Sequence, residues 1–249
     1  MPAPVIGDAF GEALLAELDD TGAGHHVVER DDGFVEPFPA EVYFAAPAEW
    51  HRLGWHHLER EGLDHISGRV LDVGAGAGRV SLELQERGLR VTALDVSPGA
   101  IEVCRRRGVE RTFEGTVADL AARGTEPFDA FVLYGNNLGL MGSPEQAPRF
   151  LETLASVARP GAVIVGTNRD AAVTDDPAHL GYHALNRERG RNIGHLTLRT
   201  RHRGLTTAWF DLLFAAEEEL RGLAAPAGWE VEAFLQEGAP YLVVLRLRS

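Results

Sequence analysis

Two carboxylates and three glycines stand where this chain could do chemistry. In the stretch "VLDVGAGAGRVSLEL", Val70 to Leu84, an apolar run reaches Asp72, and Gly74, Gly76 and Gly78 then alternate with Ala75 and Ala77. An apolar-periodic segment follows. The glycines therefore lie in a strand-to-helix turn, where backbone comes close to a ligand at the carboxyl edge of a sheet. A dinucleotide fingerprint, G-x-G-x-x-G, needs a small residue at position 79, where Arg79 stands. An acid in the approach to the turn repels a pyrophosphate and suits a ligand with a positive amino group. Asp95 closes the next apolar run, 21 residues after Gly74, at a spacing where an acid accepts ribose hydroxyls. These residues call for an adenosine without phosphate, carrying a cationic amino-acid tail.

Composition narrows the classes further. The chain has 249 residues, 45% hydrophobic and 24% charged, enough for one large α/β domain with a modest appendage. All 24 basic residues are arginine. With no lysine, a pyridoxal Schiff base and a P-loop are both excluded, as is a lysine-dependent kinase. The net charge of −13 argues against a nucleic-acid partner, whose backbone attracts clustered cations. No apolar run reaches the length of about 18 residues that reads as a membrane span. The first residues lack a cationic start and a long apolar stretch, so they do not read as a secretory signal. A single cysteine, Cys104, makes no internal disulfide, and cytoplasmic residence is expected.

The turn needs elements to hold it. Residues 8–20 predict a short amphipathic helix, followed by a polar, turn-rich passage, "DDTGAGHHVVERDDGF". Pro47 to Ile66 predict a second helical stretch. From Arg69 onward strands and helices alternate: "RVLDVG", "RVSLELQERG", "RVTALDV", "SPGAIEVCRRRG", "RTFEGTV", a short turn at "DLAARG", "FDAFVLYG", a helix at "PEQAPRFLETLASVARPG" and "AVIVGTN". Ser97-Pro98 reads as an N-cap with proline at the first helical position. Gly88, Gly108 and Gly161 read as left-handed C-caps. This is the alternation of a Rossmann-like, doubly wound, mainly parallel sheet. After Thr167 the pattern becomes two-residue alternation, which predicts an inserted hairpin around Arg203-Gly204. A closing antiparallel pair turns at Glu237-Gly238, its last strand set beside the fifth strand of the core. The expected domains are an N-terminal helical lid, 1–67, and an α/β domain, 68–249, with 169–214 as the inserted hairpin region.

Residues 69–165 resemble the core of the class I S-adenosylmethionine-dependent methyltransferases. "LDVGAGAG" is similar to their first motif, "VTALDVSPGAI" to their second and "GTVADL" to the motif whose acid meets the adenine amino group. "FDAFVLYGNNLGLMG" is similar to their fourth strand, which leads into the reaction site. The resemblance implies S-adenosylmethionine as cofactor and a role for each matching position. Asp72 meets the methionine amino group, and the backbone of Gly74, Ala75, Gly76 and Gly78 lines methionine and ribose. Asp95 binds the ribose and Val96 packs on adenine. Ala118, Asp119 and Leu120 frame the adenine edge, and Tyr134, Gly135 and Asn136 face the sulfonium end. Residue type leaves core positions open for Val96 and Leu120, and a helix N-cap for Asp119.

Methyl transfer from a sulfonium asks mainly for orientation of the acceptor and exclusion of water, so no catalytic residue is named. The segments outside the common core are expected to build the acceptor pocket. Tyr43 is the expected lid residue, its hydroxyl directed to the methionine carboxylate, and Phe44, Asn137, Trp209 and Phe210 are the expected acceptor contacts. Asn136-Asn137 reads equally as a polar turn. Trp50, Trp55 and Tyr182 read as core or pocket aromatics. His25, His26, His51, His56 and His57 lack the spacing of a metal site, and no metal is expected. His56 and His183 are the histidines considered as general bases. Cys104, mid-helix, reads as a packed residue. The expected function is methyl transfer to oxygen, nitrogen or carbon of a small molecule, with neither nucleic acid nor membrane as partner. The other readings are an NAD(P)-dependent oxidoreductase, which Arg79 and Asp72 count against, and a non-catalytic S-adenosylmethionine-binding protein. The oligomeric state is not legible.

Overall fold

The computed structural model describes residues 5–21, 24–45 and 57–248. In chain order the first elements are β1 (Val5–Ile6), α1 (Ala9–Leu18), β2 (His25–Arg30), β3 (Val35–Pro39) and α2 (His57–Gly62). The alternating part holds β4 (Arg69–Val73), α3 (Arg79–Glu86), β5 (Arg90–Asp95), α4 (Pro98–Arg106), β6 (Thr112–Glu114), α5 (Val117–Arg123), β7 (Phe128–Leu133), α6 (Ala147–Ser156) and β8 (Ala158–Arg169). Then follow α7 (Pro177–Glu188), β9 (His195–His202), β10 (Leu205–Thr206), β11 (Phe210–Leu213), α8 (Glu217–Ala224), β12 (Trp229–Gln236) and β13 (Pro240–Leu247). The chain divides into two compact units, one of residues 1–57, 71–120 and 198–210, the other of 58–70, 121–197 and 211–249.

In the first unit β5 runs parallel to β6, with Ala93 opposite Thr112 and Asp95 opposite Glu114. Ser97 caps α4 as expected, its Oγ accepting the Ala100 N–H at 3.0 Å. Arg105 and Arg106 end the helix, where cations meet the negative end of its dipole. Gly88 and Gly108 take φ of 82° and 96° after their helices. The segment expected to be a turn, "DLAARG", is part of α5 instead, capped by Thr116 and Asp119.

The expected helical lid is of mixed structure. Two of its strands, β2 and β3, form an antiparallel hairpin, and β2 pairs on its other edge with β9. With β1 and β10 these strands make a small sheet ordered β1-β10-β9-β2-β3. The physical reason is long-range pairing: Glu29 of β2 accepts two hydrogen bonds from Arg199, both at 2.9 Å, and no local pattern announces a partner that distant. The inserted hairpin turns at Arg203-Gly204 as expected, and its strands β9 and β10 lie in this small sheet. Pro47 to His56 lie outside the described residues, so the expected second helix is seen only as α2 and a 3-10 turn at Leu63–His65.

In the second unit β7 is parallel to β8, and β8 pairs antiparallel with β13, which places the last strand beside the fifth core strand as expected. The β12–β13 pair turns at Gly238, φ 65°. Phe128, Phe131 and Trp229 are fully buried, and the Trp229 indole N–H is satisfied by the Leu151 carbonyl at 3.0 Å. Gly161 does not cap α6. That helix ends at Ser156, and the left-handed φ of Gly161, 76°, falls inside β8, where its pairing with β7 shifts register. Helix α7, unforeseen, starts at Asp176-Pro177, with the Asp176 carboxylate accepting the Ala178 N–H at 2.7 Å.

Candidate functional site

The glycine turn is built within the first unit. Gly74, Gly76 and Gly78 have φ of 73°, 55° and 77°, a left-handed run that side chains with Cβ resist. Gly78 is doubly required, because a Cβ there would stand 2.8 Å from Val109 and 3.0 Å from the Cys104 sulfur. The N–H groups of Gly74 and Ala75 both donate to the Leu94 carbonyl, at 2.8 and 3.0 Å, which ties the turn to the end of β5. Cys104 is packed beneath it, its thiol pushed up to about 12 by burial.

The two predicted carboxylates flank this turn and both are buried. Asp72 accepts the Ser81 hydroxyl at 2.7 Å, and desolvation pushes it up to about 6. Asp95 is raised above its ordinary value by the same cause, with nearby Asp8 adding to the effect. Its Oδ2 accepts the Gly76 N–H and its Oδ1 the Ser97 N–H, each at 2.9 Å. Asp95 thus holds the turn in shape, and each oxygen keeps acceptor capacity for a further donor.

Tyr43 sits over the turn. A Cβ on Gly76 would meet its ring at 3.7 Å and that of Phe10 at 3.8 Å, and the two rings pack edge to face at 5.1 Å. The Tyr43 hydroxyl lies 3.5 Å from His26 Nε2 and burial pushes it up to about 12. Phe44 packs with Leu14, Ala40 and Ala77, and the Arg107 guanidinium lies 4.8 Å over its ring. The structure separates the positions that residue type left open. Val96 is 66% exposed, and Leu120 is buried. Ala118 is exposed. Asp119 Oδ2 accepts both the N–H and the hydroxyl of Thr116, as in a capping box. Trp209 and Phe210 are exposed, Trp209 under the Arg199 guanidinium at 4.4 Å.

A second turn is built within the other unit, where β7 ends. Tyr134 is buried, and Gly135 and Asn136 have φ of 69° and 67°. The Gly135 N–H donates to Glu59 Oε1 at 2.8 Å, and the Asn136 N–H to Thr167 Oγ1 at 3.4 Å. The Thr167 hydroxyl in turn lies 3.4 Å from the same Glu59 oxygen. Asn137 opens a 3-10 helix, Asn137–Met141. Glu59, 5% exposed, is absent from the expected site residues. So are Asp8 and Phe10. Asp8 carries a sequence signal, an acid just before an apolar-periodic helix, whereas nothing marks Glu59 as inward-facing.

The histidines fall apart. His26 is buried, stacked on Phe38 at 5.8 Å and held down to about 4 by desolvation. His183 is buried on α7 and His57 opens α2. His51, His56, Trp50 and Trp55 lie outside the described residues. Among the described residues no group of three or more His, Cys, Asp or Glu side chains is placed to hold a metal, and no helix is long and apolar enough to cross a membrane.

The fold and the turn define an α/β protein of Rossmann-like type, with a left-handed glycine turn flanked by two buried carboxylates. Known proteins agree. The methyltransferase-domain family model matches residues 70–161. The chain is 41% identical over 87 residues to the ubiquinone biosynthesis O-methyltransferase of Xanthomonas oryzae pv. oryzae, a match covering 30% of this chain and 36% of that protein. It thus aligns with about a third of the length of that relative. It is 30% identical over 228 residues to the malonyl-[acyl-carrier protein] O-methyltransferase of Salmonella typhimurium, covering 82% of each. Its structure superposes on an S-adenosylmethionine-dependent methyltransferase from Bacteroides fragilis, crystallised with S-adenosyl-L-homocysteine. The TM-score is 0.81 at 26% identity, over 100% of this chain and 98% of that one. The chain belongs to the class I S-adenosylmethionine-dependent methyltransferases.

Proposed function

We propose that this protein transfers a methyl group from S-adenosylmethionine to an oxygen, nitrogen or carbon atom of a small-molecule acceptor. The observation that carries the reading is the pair of buried acids at the glycine turn. A buried carboxylate is costly unless a cation or hydrogen-bond donors meet it, and this donor brings both, an amino group for Asp72 and ribose hydroxyls for Asp95. The left-handed glycines fit it too, because a turn without side chains lets backbone come close to a ligand. Val96, a large apolar residue 66% exposed beside Asp95, suits an adenine face. When bound, the donor supplies a methyl group on a positively charged sulfur, already activated for displacement.

This chain's own residues then bind and orient. Gly74, Ala75, Gly76 and Gly78 present backbone to methionine and ribose, and Tyr43 covers the turn with its hydroxyl available to the methionine carboxylate. Ala118, Asp119 and Leu120 stand at the adenine edge. Of these, Asp119 has its Oδ2 already committed to Thr116, and Leu120 contributes through packing. Tyr134, Gly135 and Asn136, on the turn of the other unit, are the residues that the family resemblance assigns to the acceptor end, with Asn137 as a polar contact. Phe44, Trp209 and Phe210 remain the proposed acceptor contacts, Phe44 through the packing of the cover. The O-methyltransferase names of the relatives favour oxygen as the methylated atom, and the acidic charge favours an acceptor that is not a nucleic acid. Incubation with methyl-labelled S-adenosylmethionine and a panel of phenols, carboxylic acids and amines tests the reading. Acceptor-dependent S-adenosylhomocysteine formation is expected. Donor binding without turnover on any acceptor would leave a binding protein instead.

A further inference from the structure

One hydrogen-bonded path links the N-terminal helix to the ribose acid, entirely within the first unit. Asp8 caps α1, its Oδ1 accepting the Gly11 N–H at 2.9 Å. Its Oδ2 accepts the Ser97 hydroxyl and the Gly99 N–H, both at 2.8 Å. Ser97 donates its own N–H to Asp95 Oδ1 at 2.9 Å, and Asp95 Oδ2 accepts the Gly76 N–H at 2.9 Å. The two helices cross where only glycine fits: a Cβ on Gly99 would stand 2.7 Å from the Gly11 Cα. At the other end of α4, Arg106 pairs with Asp19, and Arg107 donates to the carbonyls of Ala77 and Phe44. Asp8 and Asp19, at the two ends of α1, and Phe44 are therefore fastened to α4 and the residue that follows it, and α1 lays Phe10 over Gly76.

We propose that Asp8 is a positioning residue for the donor site: it locks the N-terminal cover onto the loop that carries Asp95, so that a nucleoside held by Asp95 and a closed cover stabilise each other. The inference rests on the donor reading above and adds a residue that touches neither nucleoside nor acceptor. Its chemistry is direct. A carboxylate takes three donors here, two of them from the first turn of α4, where the helix dipole favours negative charge. Because Ser97 bonds both Asp8 and Asp95, a shift of the cover moves the backbone N–H that Asp95 holds.

The test uses the full chain and S-adenosylhomocysteine as probe. Asp8→Ala removes the lock. Asp8→Asn keeps one carbonyl oxygen for Gly11 but turns an amide N–H2 toward the donors of Ser97 and Gly99. Gly99→Ala leaves both acid side chains in the sequence but spreads the same crossing, drawing the Gly99 N–H away from Asp8. Stopped-flow release of S-adenosylhomocysteine is expected to quicken about tenfold in each variant, the worth of one charge-assisted hydrogen bond, with association little changed. The probe should also slow tryptic cleavage after Arg30 in the native chain and not in the variants, a dependence that loss of fold stability alone does not produce. Native release rates in Asp8→Asn and Gly99→Ala would overturn the proposal while leaving the donor reading intact. So would faster release with the protection of Arg30 unchanged. Failure of the native chain to bind the probe would remove the donor reading and this inference together.

Discussion

Two turns in this protein solve the same problem with different parts. At the end of β4 three glycines bend the backbone into left-handed conformations, and a buried carboxylate, Asp95, takes the Gly76 N–H. At the end of β7, Gly135 and Asn136 do the bending, and a buried carboxylate, Glu59, takes the Gly135 N–H. In the first the acid closes the strand next to β4, so its distance from the glycines is set by one strand–helix–strand unit. In the second it arrives from α2, 76 residues earlier in the chain. The two turns are therefore alike in geometry although their acids reach them from different distances along the chain. Only the first carries two buried acids, Asp72 and Asp95, and the proposed donor reading rests on that pair.

The sharpest break in that comparison is Asp95→Ala. It removes the acceptor of two backbone N–H groups as well as the ribose contact, at about 1.5–3 kcal/mol per charge-assisted bond. Calorimetric affinity for S-adenosylhomocysteine should fall by about a hundredfold or more. Unchanged affinity would strip Asp95 of its role.

The next is a pH effect at Asp72. Folding raises this acid from 3.8 to about 6, so the folded chain holds the proton more tightly than the unfolded one. Its contribution to stability is full below pH 3.8 and is lost as pH rises to about 6. Binding of a cationic amino group runs the other way, because it needs the ionised carboxylate. Affinity for S-adenosylhomocysteine should strengthen as pH climbs through about 6, by up to about tenfold per unit below that point. In Asp72→Asn it should be weak, with that rise lost. A native rise kept in Asp72→Asn would assign the titration to another group.

The smallest of these effects should separate the turns. Glu59→Ala leaves the Gly135 N–H without its acceptor and should cost about 1–3 kcal/mol in stability, read from the denaturation midpoint. Glu59→Gln keeps an oxygen there and should recover most of it. Affinity for S-adenosylhomocysteine should change less than in Asp95→Ala. An equal loss would make Glu59 part of the donor site.

What the sequence made legible follows range. Local signals were enough for α1, for the Ser97-Pro98 start of α4, for the glycine turn and for the β12–β13 hairpin. Each is a pattern within about a dozen residues. The small sheet was not legible, because β2 gains its second partner from Arg199 and its neighbours, 170 residues from Glu29. Val96 and Leu120 are both apolar and both precede or sit in helical starts, yet one is 66% exposed and the other buried. Residue type carries no such distinction. Helix α7 shows the converse, a legible Asp-Pro cap that the alternation around it obscured.

The central claim is that the glycine turn holds a phosphate-free, cationic nucleoside. Parallel calorimetric titrations of the native chain with S-adenosylhomocysteine and with NAD+ test it most directly. Saturable one-to-one binding of S-adenosylhomocysteine with no heat from NAD+ is the predicted result, and binding of NAD+ with none of S-adenosylhomocysteine would contradict it.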